Sequence, residues 1–194
     1  MNSIDYYDKN SEKYITDTMS ASMEELLERF ASYLPNNGLV LDLGCGSGRD
    51  SLWFLAQEYE LLAIDGSKEL VEHCQKLLGE SVIHATFEDF ETDKKFDGIW
   101  ACASLLHVKL EDLPGMIVKY ANYLKQKGVF FMSFKAGEVD YVKDGRWFTN
   151  FTEDKLLIMI NDIENLEVVE VIKTHDVRKE RQDEMWLSII AKKR

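Results

Sequence analysis

A glycine-rich turn between two apolar runs constrains this chain more than any other feature. The apolar run from Val40 ends in an acid, Asp42, and is followed by Gly44, Gly46 and Gly48 at every second position. A second apolar run, 61–64, is closed by Asp65. This spacing predicts a strand, a tight turn where backbone can approach a ligand, a helix, and a second strand with a carboxylate at its tip.

The identity of the ligand depends on the two acids and on the glycine spacing. Asp65 can accept both hydroxyls of a ribose, which indicates a nucleoside cofactor. A dinucleotide turn has the pattern G-x-G-x-x-G, but here the third glycine comes one position early and Arg49 stands where Gly or Ala is expected. Asp42 would repel a pyrophosphate and attract the ammonium group of S-adenosylmethionine. These residues favour S-adenosylmethionine, and an NAD-dependent oxidoreductase is the less favoured alternative.

The segment from Leu41 to Gly48 resembles the first motif of class I S-adenosylmethionine-dependent methyltransferases. The resemblance extends from Val40 to the C-terminus, and segments 98–107 and 145–149 are similar to small bacterial methyltransferases of the tellurite-resistance-related group. It implies in-line transfer of a methyl group to a small-molecule acceptor. A protein that binds or senses S-adenosylmethionine without catalysis is the alternative from another functional class.

The alternation of apolar runs predicts an α/β fold with a single doubly wound, seven-stranded Rossmann-like sheet, mostly parallel and ending in an antiparallel hairpin. We expect one domain over 1–194, with a helical cap or lid in 1–37 and the core in 38–194. A helix before the first strand is expected to start at a capping box formed by Ser22 and Glu25. Ser67 is expected to cap the helix after the second strand, and 136–151 is expected to be a loop. Predicted strands lie near 39–43, 60–64, 81–86, 97–103, 129–134, 166–173 and 185–191, and predicted helices near 49–58, 111–125 and 152–162.

Ligands of open α/β sheets bind beyond the carboxyl ends of the strands, so the residues that leave each strand are the candidates. The family resemblance implies a cofactor site formed by Tyr14, Asp42, Gly44, Cys45, Gly46, Gly48, Asp65, Gly66, Thr86, Phe87, Glu88 and Ser104. Thr86 departs from the family's usual acid, which accepts from the adenine amino group. His107 could take a proton from an acceptor, because a histidine titrates near working pH. A packing or capping role for His107 stays open.

Two segments could cover the acceptor. Tyr6, Tyr7 and Tyr14 precede the first strand, in a region that resembles the lid of related enzymes. Arg146 and Trp147, with nearby aromatic residues, could recognise an anionic or planar acceptor through a cation and aromatic faces. In the final hairpin, Asp176, Arg178, Glu184 and Trp186 are expected to serve structure or ion pairing.

Composition limits the partners and the compartment. A net charge of −12 argues against nucleic acid, whose binding depends on Lys and Arg contacts to phosphate. No apolar run approaches the ~18 to 20 residues of a membrane span, and the N-terminus lacks signal-peptide features, so no membrane partner is expected. Three cysteines without metal-ligand spacing suit free thiols in the cytoplasm, and no metal is expected. We expect a cytoplasmic monomer or homodimer.

Overall fold

One mixed sheet organises the computed structural model, which describes residues 2–178 and 181–194. The strand order is β3-β2-β1-β4-β5-β10-β9, with short β8 beside β5, while β6 and β7 form a separate hairpin. The first five strands of the sheet pair in parallel, and β10 is antiparallel to both β5 and β9. The strands are β1 (Leu39–Leu43), β2 (Glu60–Asp65), β3 (Val82–His84), β4 (Phe96–Ala101), β5 (Leu124–Ala136), β6 (Tyr141–Lys143), β7 (Arg146–Phe148), β8 (Asn150–Phe151), β9 (Leu166–His175) and β10 (Met185–Lys193).

Six α-helices of the described residues connect or cover these strands. They are α1 (Ser3–Met19), α2 (Glu24–Ala31), α3 (Arg49–Ala56), α4 (Lys68–Leu78), α5 (Leu113–Tyr123) and α6 (Glu153–Asn161). The expected cap of α4 is confirmed, since the Ser67 hydroxyl accepts from the Leu70 N–H. The predicted Rossmann-like sheet with its C-terminal antiparallel hairpin is confirmed as well. No helix of the described residues is long and apolar enough to cross a membrane.

Aromatic packing at the middle of the sheet fixes its two faces. Trp100 of β4 and Phe131 of β5 stack with ring centroids 3.9 Å apart, and both side chains are fully buried. The apolar run of β5 is buried on both faces, as a central strand between two helical layers should be. The parallel pairing of β1, β2, β4 and β5 brings their carboxyl ends to one edge of the sheet, where the candidate site lies.

Two local predictions are wrong. The N-cap of α2 is Met23, and the Ser22 hydroxyl accepts only weakly from the Glu24 N–H at 3.4 Å, because the Met23 side chain packs on the core and starts the helix one residue later. A capping box forms instead at the start of α1, between Asn2 and Asp5. The segment expected to be a loop, 136–151, contains the β6–β7 hairpin and β8. Its three-residue strands are too short for a clear alternation in the sequence.

Candidate functional site

The glycine turn between β1 and α3 has a conformation that only glycine adopts without strain. Gly44, Gly46 and Gly48 have φ of +84°, +55° and +79°. A Cβ on Gly44 would lie 2.6 Å from the Cβ of Ser104. The N–H groups of Gly44 and Cys45 donate to the Ile64 carbonyl at 2.9 and 3.0 Å, which ties the turn to the end of β2. The turn therefore brings bare backbone to the edge of the sheet.

Asp65 stands at the tip of β2, directly beside this turn. Its two carboxylate oxygens accept from the N–H groups of Gly46 and Ser67, each at 2.9 Å. Burial raises the pKa of Asp65, while these two N–H donors act in the opposite direction. Backbone donors thus fix the orientation of the carboxylate that was expected to hold a ribose.

Asp42 is buried behind the turn, and none of the described residues forms an ion pair with it. It is 2% exposed, and the Ser51 hydroxyl donates to it at 2.6 Å. The neighbouring Asp50 takes the guanidinium of Arg49 in a bidentate pair and also accepts from the Trp100 indole. Burial, followed by the charge of Asp50, raises the pKa of Asp42 to about 8. A cation placed beside Asp42 would relieve this cost.

A small cavity of about 30 Å³ adjoins Asp42 and offers a place for such a cation. Next to the turn, the Ser104 hydroxyl is buried and has no hydrogen-bond partner among the described residues. Three groups fit the aminocarboxypropyl part of S-adenosylmethionine: the glycine turn, the Asp42 carboxyl with no ion-pair partner among the described residues, and the unpaired Ser104 hydroxyl. Residues lining the small cavity are Tyr14, Thr18, Asp42, Gly44, Cys45, Ser47, Arg49, Asp50 and Cys102.

Helix α1 lies across the edge of the sheet where β1 and β2 end, which we call the cofactor edge. A Cβ on Gly46 would come 2.9 Å from the Tyr14 hydroxyl, and one on Gly66 would come 2.9 Å from Ile4. The Ser67 hydroxyl donates to Asp8 of this helix at 2.7 Å. The glycines therefore provide the space that α1 uses to approach the turn.

A cavity of about 640 Å³ adjoins the small one, and the two share Tyr14, Thr18, Arg49 and Cys102 in their walls. It is bounded by α1, the ends of β4 and β5, the β6–β7 hairpin and the β9–β10 hairpin. Aromatic side chains in its wall include Tyr6, Tyr7, Phe148 and Trp186, and small side chains include Ala103, Ser133 and Ser188. Its size suits a small organic molecule.

His107 lies in the wall of this large cavity and is bonded at both ring nitrogens. Nδ1 faces the Trp147 carbonyl at 2.7 Å, so it must hold the proton and donate. Nε2 then accepts from the Tyr7 hydroxyl at 2.9 Å. Burial lowers the pKa of His107 to about 4 and raises the pKa of Tyr7. At neutral pH the pair is an uncharged phenol that donates to an uncharged imidazole.

Of the residues expected to contact adenine after β3, Phe87 lies beside the turn, whereas Thr86 and Glu88 form hydrogen bonds elsewhere. Thr86 exchanges hydrogen bonds with Asp89, at 2.8 Å from its hydroxyl and 3.1 Å from the Asp89 N–H. The Phe87 ring lies 3.5 Å from the position of a Cβ on Gly44. The Glu88 carbonyl accepts from Lys119 at 2.6 Å. Phe87 is therefore the member of this set that the fold brings to the glycine turn.

The expectation that Trp147 contacts the acceptor is corrected. Arg146 and Phe148 line the large cavity, whereas the Trp147 indole donates to the Thr149 hydroxyl at 2.9 Å and does not line it. Successive side chains of a strand point to opposite faces, so Arg146 and Phe148 share one side of β7 and Trp147 takes the other.

Sequence reasoning missed part of the cavity wall. Lys135 leaves β5 there and pairs with Glu184. The expected pairing in the final hairpin is found, since Arg178 binds Asp176 and the Trp186 indole donates to Asp176 at 3.1 Å. These pairs also form one end of the cavity. Lys135 directly follows the predicted strand 129–134 and lies near the end of β5, so its position was a usable signal, because strand ends supply site residues.

Comparisons with known proteins agree with this geometry. A family model described as "Methyltransferase domain" matches residues 40–128. The chain is 27% identical to (S)-coclaurine N-methyltransferase of Papaver somniferum, over 74% of this chain and 45% of that protein. It is 25% identical to an uncharacterised methyltransferase of Staphylococcus carnosus, over 87% and 84% of the two chains. Among curated relatives, the first two that it matches are covered over about half their length.

A solved structure shares the fold. The 1,6-didemethyltoxoflavin-N1-methyltransferase of Burkholderia thailandensis, solved with 1,6-didemethyltoxoflavin and S-adenosylhomocysteine, superposes with a TM-score of 0.80. Its sequence identity is 21%, and the match covers 97% of this chain and 84% of that chain. The likeness at this identity concerns the arrangement of the sheet and its helices.

Proposed function

We propose that the chain is a class I S-adenosylmethionine-dependent methyltransferase that transfers a methyl group in-line to a small-molecule acceptor, as the methyltransferase-domain match over residues 40–128 and the shared fold support. The observation that supports this most strongly is Asp42, a buried carboxylate that has no ion-pair partner in the described part of the chain and faces a small cavity beside the glycine turn. An ammonium group fits that position and a pyrophosphate does not.

In this proposal, different residues of the chain bind different parts of the cofactor. Asp42 holds the ammonium group, the turn from Gly44 to Gly48 accommodates the amino-acid part, and Asp65 accepts from the ribose hydroxyls. Gly66 and Phe87 lie beside the nucleoside. When bound, S-adenosylmethionine supplies an electrophilic methyl group on a sulfonium with a good leaving group.

We propose that the large cavity receives the acceptor and that His107 acts through Tyr7. His107 holds the Tyr7 hydroxyl in place, and the phenol oxygen keeps lone-pair capacity for an N–H or O–H of the acceptor. With a pKa of about 4, His107 is a weak base, so the pair orients the acceptor rather than removing its proton. The acceleration then comes mainly from positioning the acceptor for in-line attack.

Residues 1–37 serve as a lid in this proposal, because α1 touches both the cofactor edge and the acceptor cavity. The free state of the three cysteines supports a cytoplasmic location. The similar proteins add support for a small acceptor, since one is (S)-coclaurine N-methyltransferase and a neighbour was solved with 1,6-didemethyltoxoflavin. The narrower resemblance to the tellurite-resistance-related group stays a prediction.

Thermal-shift titrations with S-adenosylmethionine, S-adenosylhomocysteine and NAD test the cofactor. A ligand at ~100 times its Kd should stabilise the protein by about 2.7 kcal/mol, and we expect this from the two sulfur compounds alone. Stabilisation by NAD alone, or by none of them, contradicts the proposal. Transfer of labelled methyl groups to a panel of acceptors then tests catalysis, and tight binding without transfer would favour a non-catalytic S-adenosylmethionine-binding protein.

A further inference from the structure

The large cavity has the opposite charge balance to the rest of the chain. The protein has a net charge of −12. The cavity wall nevertheless contains more cations than acids among the described residues: Lys13, Arg49, Lys135, Arg146, Arg178 and Arg181 against Asp17, Glu25 and Asp176. A basic cavity in an acidic protein favours a negatively charged ligand.

Arg146 differs from the better-paired cations of this wall. Arg49 and Arg178 each hold a neighbouring carboxylate by two hydrogen bonds, and Lys135 pairs with Glu184. The ion pair of Arg146 among the described residues is a 3.5 Å contact with Asp144, whose side chain is 56% exposed. The Arg146 side chain itself is only 12% exposed. A nearly buried cation with so weak a partner is costly unless an anion joins it.

The orientation of the Arg146 guanidinium shows which of its surfaces remains available. Its face covers the ring of Tyr6, with Cζ 3.7 Å from the ring centroid, and it also lies 5.7 Å from Tyr7 and 5.2 Å from Phe148. Stacking uses the face of the guanidinium and leaves hydrogen bonding to its edge, which also lies close to the Tyr7 hydroxyl. Along that edge, Nε is buried and has no hydrogen-bond partner among the described residues. An in-plane fork of N–H donors fits a carboxylate.

The rest of the wall suits a flat molecule. Aromatic rings of Tyr6, Tyr7, Phe148 and Trp186 face the same cavity as the small side chains of Ala103 and Ser133. Ser188 also lines it, and its hydroxyl is buried without a partner among the described residues. Aromatic walls pack against a planar ring, and an unpaired hydroxyl can meet one polar group on it.

We propose that the methyl acceptor is a planar aromatic carboxylic acid whose carboxylate is held by the edge of the Arg146 guanidinium. This rests on the proposed function, because it assigns the acceptor of that reaction. The fork of Arg146 anchors one end of the molecule, and the Tyr7 hydroxyl, which lies within hydrogen-bonding reach of the same guanidinium in the cavity wall, can meet another polar group. Arg146 is thus a specificity-determining residue for the acceptor.

The test uses 2-naphthoate and its uncharged analogue 2-naphthamide as probes. Each is titrated calorimetrically against the full chain, with and without saturating S-adenosylhomocysteine. We expect 2-naphthoate to bind at least about tenfold more tightly than 2-naphthamide, as a charge-assisted pair should produce. Arg146→Gln should abolish the preference, and Arg146→Lys should restore part of it by keeping the charge without the fork. Arg29→Gln, which removes an exposed arginine outside the cavity, should leave the preference intact.

Thermal unfolding of each variant shows whether it is folded before its titration is interpreted. Equal binding of the two probes, no binding of either, or a preference that survives in Arg146→Gln would overturn the assignment of an acidic acceptor. Failure of S-adenosylhomocysteine to bind would instead contradict the proposed function, and the titrations without it still decide whether Arg146 selects a carboxylate.

Discussion

The proposed cofactor edge and the proposed acceptor cavity are built in different ways. The cofactor edge is assembled from three short segments after β1, β2 and β4, and its polar groups are fixed by backbone N–H donors and by glycine geometry. The acceptor cavity combines α1 with the ends of β5, β7 and both strands of the final hairpin, and it is fixed by side-chain pairs between distant parts of the chain. The first region admits little variation, whereas the second can change its specificity by exchanging side chains.

Gly44→Ala should cause the largest loss of stability, and it should disrupt the cofactor edge without changing the acceptor cavity. A left-handed conformation costs a non-glycine residue about 1–2 kcal/mol, and the crowding against Ser104 adds about 1–3 kcal/mol, so we expect about 2–5 kcal/mol of lost stability. Binding of S-adenosylhomocysteine should fall with it, as calorimetry and urea unfolding can measure. Gly115→Ala in α5 is the matched control, because a Cβ there meets nothing within 4 Å. Similar losses in both variants would contradict this account.

Tyr7→Phe should disrupt the acceptor cavity by removing the hydrogen bond between Tyr7 and His107. It leaves Nε2 of His107 buried without its donor, which should cost about 1–3 kcal/mol in urea unfolding. The matched control is Tyr33→Phe, because the Tyr33 hydroxyl is exposed and its hydrogen bond to Glu170 is long, at 3.3 Å. Binding of S-adenosylhomocysteine should change less in Tyr7→Phe than in Gly44→Ala. A loss no greater than that of Tyr33→Phe would mean that the Tyr7–His107 bond is unimportant.

The protonation state of Asp42 tests the cofactor edge without a change to the fold. Its pKa of about 8 means that the carboxyl is mostly protonated near neutral pH, and an adjacent ammonium should lower that pKa. Binding of S-adenosylhomocysteine near pH 7 should therefore release close to one proton, and affinity should fall by about tenfold per pH unit below pH 8. Calorimetry in two buffers of different ionisation enthalpy measures the release. In Asp42→Asn the release should disappear, and its persistence would assign the proton to another group.

The same pKa shift has a defined effect on the protein without ligand. Because the folded-state pKa of Asp42 is raised above the ordinary aspartate value of 3.8, its contribution to stability is fully present below that value and is lost as the pH rises through about 8. S-adenosylhomocysteine should reduce this loss by stabilising the ionised form.

Trp147→Phe should have the smallest effect. It removes one hydrogen bond to Thr149, worth about 0.5–1.5 kcal/mol in thermal or urea unfolding. Because Trp147 lies on the other side of β7 from the cavity, 2-naphthoate affinity should stay within about twofold of the parent. Phe148→Leu is the contrasting variant, since Phe148 lines the cavity and its loss should weaken that binding. Weaker 2-naphthoate binding in Trp147→Phe would show that the cavity extends to Trp147.

The sequence predicted the elements of the cofactor edge because its signals are local. Positive φ at Gly44, Gly46 and Gly48 follows from spacing within five residues, and the cap at Ser67 lies directly after β2. The prediction for the start of α2 failed since packing of Met23 outweighed a local capping preference. The β6–β7 hairpin escaped prediction because strands of three residues leave too short a pattern.

By itself the sequence determined the α/β class, the glycine turn with its two acids, and the cofactor that those groups favour, because each depends on neighbours along the chain. Only the tertiary structure decided that Asp42 is buried with no ion-pair partner among residues 2–178 and 181–194, that His107 is bonded to Tyr7 100 residues away, and that Arg146 and not Trp147 lines the cavity. Burial, charge pairing and the direction of a side chain are set by groups that meet only when the sheet closes, so residue order alone does not fix them.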